Sequence, residues 1–178
     1  MGLQLEVNVA QLLKDRVGAA RSIRIDGPEL DLEEDGQTSA HVRGDLVLTR
    51  TDNGIWASGP FAISVDNQCS RCLAPFASWV EVRVDDVFLP SIDIVTGAKM
   101  RHDDDGGDAD AHSIDAQHVL DLSDTLRQYR LASLPLAPLC RQDCKGLCPE
   151  CGADRNQSAC SCEQYQDLRW AKLRELFG

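Results

Sequence analysis

HVRGDLVLTR (residues 41–50), TDNG (51–54), IWASGPFAISVDNQ (55–68), CSRC (69–72) and FASWVEVRVDDVFLP (76–90) read in order as strand, turn, strand, cysteine loop and strand. In the first run Val42, Leu46 and Leu48 share the inward positions of a period-two pattern, because successive strand side chains point to opposite faces. Asn53-Gly54 suits a tight hairpin, since its backbone needs positive φ values that Asn and Gly tolerate. Gly59-Pro60 predicts a break or bulge in the return strand: proline donates no ladder hydrogen bond and glycine has no side chain to pack. In the last run Trp79, Glu81, Arg83 and Asp85 alternate with Val80, Val82 and Val84, the pattern of a half-buried strand. Together these segments predict antiparallel strands with CSRC in a loop between two of them.

Outward from this core, VAQLLKDRV (9–17) places Val9, Leu12, Leu13 and Val17 on one helical face, with Asn8 as N-cap. SIRIDG (22–27) alternates as a short strand, and PELDLEEDGQ (28–37) reads as an acidic loop. RHDDDGGDADAHS (101–113) is too polar to bury and reads as a solvated loop. Asp103, Asp105 and Asp108 hint at a calcium loop, but the closing Glu is missing; His102 and His112 are candidate extra ligands. VLDLSDTLRQYRLASLPL (119–136) reads as a helix with Leu122, Leu126, Tyr129 and Leu134 on one face. Asp121 or Ser123 would cap it, and Pro135 and Pro138 would end it. DLRWAKLRELFG (167–178) predicts an amphipathic helix through Leu168, Ala171, Leu173, Leu176 and Phe177. The expected class is α+β: an antiparallel β-sheet scaffold with flanking helices and a C-terminal cysteine-rich zinc module. The expected parts are a β-rich scaffold (1–100), an acidic linker (101–118), and a helix with the cysteine module (119–178).

CRQDCKGLCPECGADRNQSACSC (140–162) concentrates Cys140, Cys144, Cys148, Cys151, Cys160 and Cys162 in 23 residues, and Cys69 and Cys72 add an upstream pair. Thiolates clustered this way suit a tetrahedral soft metal, zinc above all. Cys148-Pro149-Glu150-Cys151-Gly152 is the most specific element, because a C-x-x-C turn offers two thiolates to one ion and the following Gly lets the chain turn back. Either Cys160 and Cys162 or Cys140 and Cys144 could complete that site, leaving the other pair to meet Cys69 and Cys72. All eight cysteines are candidate zinc ligands. The segment holds no histidine, so the donor set suits closed, structural sites rather than catalytic ones with an open position. An iron–sulfur cluster and a thiol–disulfide role for CSRC are the alternatives. No G-x-S-x-G, phosphate-binding glycine loop or H-E-x-x-H is present, and no enzyme activity or small-molecule substrate is expected.

With 43% hydrophobic residues the chain can bury a core, and 5% aromatics leave the packing to aliphatic side chains. No apolar run is long enough to span a membrane. The first residues lack a basic start and an apolar core, so a reducing, cytoplasmic setting is expected, where disulfides do not persist. The net charge is −11 over 178 residues. Residues 101–124 carry 1 basic and 8 acidic side chains, whereas residues 125–178 carry 8 and 6. That balance lacks the basic footprint of a nucleic-acid binder and favours a basic protein partner. Arg141, Lys145, Arg155, Arg169, Lys172 and Arg174 are the candidate positions for any RNA contact.

The order CSRCLAPF, DLSDTLRQYRLASLPLAPLC, CKGLCPECGADRNQSACSC and DLRWAKLRELF resembles the bacterial YceD-like family, a domain of unknown function linked to accumulation of large-subunit ribosomal RNA. The family's genes commonly neighbour that of a small zinc-containing large-subunit ribosomal protein. The resemblance implies a non-enzymatic factor for large-subunit biogenesis and 23S rRNA accumulation, whose partner is a basic large-subunit ribosomal protein or precursor rRNA. The helix departs from the family's Arg-Glu step, reading Arg127-Gln128-Tyr129-Arg130, so no role is carried onto a glutamate there.

Overall fold

In chain order the elements of the computed structural model are β1 (Glu6–Asn8), α1 (Ala10–Lys14), β2 (Ala20–Leu30), β3 (Ala40–Arg50), β4 (Ile55–Gln68), β5 (Pro75–Pro90), β6 (Ser113–Ile114), β7 (Val119–Asp121) and α2 (Ser123–Ala132). The structure describes residues 5–30, 40–100 and 112–162. Residues 28–30, expected to open an acidic loop, instead end β2; the rest of that loop (31–37), the candidate calcium and histidine ligands Asp103, Asp105, Asp108 and His102, and the expected helix at 167–178 lie outside the described residues.

The chain divides into two compact units, residues 1–66 with 77–135, and residues 67–76 with 136–178. In the first, the strands form one seven-stranded sheet ordered β1-β7-β6-β5-β4-β3-β2. β3 runs antiparallel to both β2 and β4. The start of β4 lies beside the end of β5: the Trp56 indole donates to Asp85 at 2.6 Å, and a Cβ on Gly54 would meet the Phe88 carbonyl. β4 and β5 are therefore antiparallel as well. The inward alternation is the expected one, with Val42, Leu46, Leu48, Val80, Val82 and Val84 all buried. They pack with Phe61, Ile63, Phe88, Leu120 and Leu126 into one core cluster.

Several expectations need correction. The sheet is mixed, because β6 pairs in parallel with the end of β5 through Leu89↔Ser113 and Pro90↔Ile114. Parallel neighbours need a long crossover, and the 22 residues between Pro90 and Ser113 provide the length; the segment expected to be wholly loop thus ends in a strand. Helices are few among the described residues. The first spans only Ala10–Lys14, with Asp15 already extended and Val17 exposed. A helix this short is held by burying Val9, Leu12 and Leu13 rather than by propensity. Asn8 still contributes, accepting from the Ala10 amide at 3.1 Å. Finally, Gly59-Pro60 does not bulge. The β3–β4 register is the same on both sides, from Gly44↔Phe61 to Val47↔Ser58. Glycine is needed there for close approach, since a Cβ at Gly59 would lie 2.1 Å from the Asp45 carbonyl oxygen.

The second helix begins later than expected because Val119–Asp121 is drawn into β7, paired with Glu6–Asn8. Asp121 accepts from the Ser123 amide at 2.8 Å, which serves the helix start. At the β3–β4 turn, Thr51 accepts from and donates to Gly54. Arg50 fastens this turn, donating to the carbonyls of Thr51, Gly54 and Leu13.

Candidate metal centres

Both C-x-x-C turns fold by the same local rules. In the first, the Cys69 amide donates to the Ala74 carbonyl at 2.9 Å, and the Leu73 amide donates to the Cys69 carbonyl at 2.9 Å. In the second, Cys148 donates to Ala153 at 2.8 Å and Gly152 to Cys148 at 2.9 Å. The residue after the second cysteine is left-handed in each, Leu73 at φ 59° and Gly152 at φ 72°. This bend turns backbone amides toward the leading sulfur. Amides of Cys140, Cys72 and Arg71 hold the Cys69 thiol down to about 6, against the opposing effect of burial. Amides of Cys151 and Glu150, then the Cys160 thiol, hold Cys148 down to about 6. Both leading cysteines are thus prepared as thiolates, the form that binds metal.

The structure gathers the eight cysteines into two groups. Cys69 and Cys72 meet Cys140 and Cys144; Cys148 and Cys151 meet Cys160 and Cys162. Within each group all four sulfurs lie within 4.8 Å of one another. Cys69 Sγ stands 3.8 Å from Cys144 Sγ, and Cys72 Sγ 3.7 Å from Cys140 Sγ. A zinc–sulfur distance of about 2.3 Å sets a tetrahedron edge of about 3.8 Å, so the first group has the spacing such an ion requires. The trailing thiols need a counter-charge to ionise. Burial and then the neighbouring thiols push Cys140 up to about 12, and Cys151 followed by burial pushes Cys162 up to about 12. A divalent cation supplies that charge. His112 belongs to neither group and stands 3.8 Å from Asp86.

Several supporting residues carry no metal-ligand signature. Arg71 donates to the Cys144 carbonyl at 2.9 Å, and its own carbonyl accepts from Leu147 at 3.0 Å. Gly146, at φ 72°, passes so close that a Cβ would lie 2.9 Å from the Arg71 carbonyl oxygen. Asn156 is the hub. Its Oδ1 accepts from the Lys145 amide at 2.8 Å, and its Nδ2 donates to Asp154 at 2.7 Å and to Cys144 Sγ at 3.5 Å. The Asn156 amide, followed by burial acting the other way and the Asn156 and Gln157 side chains, leaves the Asp154 carboxyl below its ordinary range. One side chain thus ties the loop of the second group to a sulfur of the first. The glycines at 146 and 152 signal the tight backbone here; in the first turn Leu73 takes the glycine conformation and hides it. Of the candidate RNA-contact residues, Arg141, Lys145 and Arg155 lie in the described part of this unit. Arg169, Lys172 and Arg174 lie outside it.

The sheet unit carries a different concavity, an open trough of about 740 Å³ lined by Arg24, Asp26, Arg43, Asp45, Glu81 and Arg83 among others. Its charges alternate and partly neutralise one another: Arg24 pairs with Asp45 at 2.9 Å, and Arg43 stacks 4.4 Å from the Trp79 ring. No metal-ligand cluster forms there among the described residues.

No helix among the described residues is long and apolar enough to cross a membrane. An uncharacterized protein of Mycobacterium tuberculosis (strain ATCC 25618 / H37Rv) is 31% identical over 134 residues, covering 75% of this chain and 61% of that protein. An uncharacterized protein of Mycobacterium leprae (strain TN) is 27% identical over 139 residues, covering 78% and 60%. The chain therefore spans about six tenths of the length of these curated relatives. No solved structure matches it. Residues 58–177, which include both cysteine groups, match the family described as Large ribosomal RNA subunit accumulation protein YceD, and the chain belongs to that family.

Proposed function

We propose that this protein is a non-enzymatic factor supporting large ribosomal subunit biogenesis and 23S rRNA accumulation, held in shape by two structural zinc ions. The observation that carries the functional part is membership of a family named for large ribosomal RNA subunit accumulation. The zinc part rests on the donor sets. Cys69, Cys72, Cys140 and Cys144 would hold one ion, and Cys148, Cys151, Cys160 and Cys162 the other. When bound, a zinc ion with four thiolates contributes folding free energy, on the order of 10 kcal/mol in small zinc-dependent modules. The residues around each group do the positioning: the knuckle amides favour the thiolate form, Arg71 and Gly146 bring the two chain segments together, and Asn156 orients Cys144.

The net charge of −11 favours a basic large-subunit ribosomal protein as the direct partner, with precursor rRNA as the other choice. Any RNA contact falls near Arg141, Lys145 and Arg155. The protein acts in the cytoplasm on this reading, with no membrane and no small-molecule substrate. Pull-down of the tagged full chain from lysate, with and without nuclease, tests it. Recovery of large-subunit ribosomal proteins that survives nuclease supports the protein partner, and recovery lost with nuclease transfers the role to RNA. Absence of both contradicts the proposal. A second reading, cysteine redox chemistry or an iron–sulfur cluster, draws on the low values of Cys69 and Cys148. Metal analysis finding iron, or a fast-reacting thiol pair at Cys69 and Cys72, would favour it.

A further inference from the structure

β2 is the long strand at one edge of the sheet, and among the described residues β3 is its one hydrogen-bonded neighbour. The Arg50 amide donates to the Ala19 carbonyl at 2.8 Å, and Ala20 stands opposite Thr49. Backbone groups alternate in direction along a strand. Arg21, Ile23, Ile25 and Gly27 therefore aim theirs at β3, while Ser22, Arg24, Asp26 and Pro28 aim theirs outward. Pro28 has no N–H to offer, which suits an outward position on an edge strand. The Arg24 and Asp26 side chains beside this row are 80% and 68% exposed. A long edge of this kind is a template for another strand.

We propose that this edge pairs with the same edge of a second copy, antiparallel and centred on Ile25, joining the two sheets across a two-fold axis. In an antiparallel pair, opposite residues both aim their backbone groups at the seam or both aim them away, so the axis must pass a residue rather than a peptide bond. Centring on Arg24 sets two arginines against each other, and centring on Asp26 sets two aspartates. Centring on Ile23 sets Arg24 against the partner's Ser22. Centring on Ile25 sets Arg24 against the partner's Asp26, and by symmetry does so twice. Each such step exchanges two backbone hydrogen bonds and places opposite charges side by side on the outer face. On the inner face Ile25 meets its own counterpart, and half-buried Ile23 meets the partner's Gly27, which has no side chain to clash. β2 contains two arginines and two acidic residues, so the seam is neutral although the chain carries −11. The charges that guard the edge against other strands thus select this one.

Sedimentation of the full chain tests this. A seam of one strand pair is small, so the series runs to about 1 mM, and the mass should rise from one chain to two. Amide exchange at Ser22, Arg24 and Asp26 should slow as concentration rises, while Ile23 and Ile25, already bonded to β3, stay unchanged. Arg24→Asp and Asp26→Arg, made singly, each set like charges against each other and should weaken association about tenfold. An equimolar mixture of the two single variants should associate within about threefold of wild type, because every acidic position then faces a basic one. A chain that stays monomeric throughout overturns the proposal, as do outward amides protected equally at every concentration. A dimer that the single variants leave unchanged, or that the mixture fails to restore, overturns it too.

Discussion

Replacing Asn156 by alanine removes a side chain that touches no metal on our account, yet it should weaken the first cysteine group. The side chain makes three hydrogen bonds: from the Lys145 amide at 2.8 Å, to Asp154 at 2.7 Å, and to Cys144 Sγ at 3.5 Å. The two short bonds are worth about 1 kcal/mol each, and the longer sulfur contact less, so Asn156→Ala should cost about 2 kcal/mol of unfolding free energy. Partners that orient a metal ligand typically contribute about 10–100-fold in metal affinity, and the loss should fall on the group containing Cys144. The assay is zinc competition titration against a chelator of known affinity, with thermal unfolding in parallel. Asn156→Asp sharpens it. The acceptor for Lys145 survives, but the N–H to sulfur is gone and a second carboxylate faces Asp154, so zinc affinity should fall at least as far as in the alanine variant. If both variants keep wild-type zinc affinity within about threefold and unfold at the wild-type temperature, the hub assigned to Asn156 is wrong.

Other perturbations probe separate parts of the structure. Cys148→Ser should lower zinc content by one ion per chain and destabilise residues 136–162, seen as lost amide protection there; full zinc content with native protection would contradict it. Leu73→Gly should leave stability unchanged or raise it by up to about 1 kcal/mol, because relief of left-handed strain outweighs glycine's extra unfolded-state freedom; a loss above about 1 kcal/mol in denaturant titration counts against a strained first knuckle. Gly59→Ala should cost about 2 kcal/mol or more by the same titration, since its Cβ meets the Asp45 carbonyl oxygen across β3 and β4. Asp93 accepts from the Thr96 amide and hydroxyl and the Val95 amide, which together lower its carboxyl below the ordinary 3.8. Its stabilising contribution is therefore present above that value and disappears as pH falls through the lower one in the folded protein. Asp93→Asn should be destabilising at neutral pH and converge on the wild type as pH falls through the lowered value of the folded protein; a gap that persists in acid refutes the assignment.

The long strands were legible because burial on one face writes a period of two into the chain, as in Val80, Val82 and Val84. β6 and β7 were not. With two and three residues they carry no period, and they exist because Ile114 pairs with Pro90 and Leu120 with Val7, partners far away in sequence. The same long-range pairing converts Val119–Asp121 from expected helix to strand. Gly59-Pro60 misled for a related reason: the pair suggests a break when read alone, but the crossing strand needs the missing side chain. That the eight cysteines would cluster was legible from spacing, and their grouping was not. Two pairings satisfied the same chemistry, and the choice depends on Arg71 and Gly146 bringing the 69–72 turn against residues 140–147. Asn156 sits among ordinary polar loop residues, and only its contacts distinguish it.

Native mass spectrometry of the full chain, purified without chelator and compared with the acid-denatured mass, counts the metal ions on which the two-zinc reading stands or falls. The account predicts a folded species heavier by two zinc ions, one for each group of four cysteines, with no thiol free to react before metal is removed. A native mass carrying one metal or none, or iron in place of zinc, would contradict it.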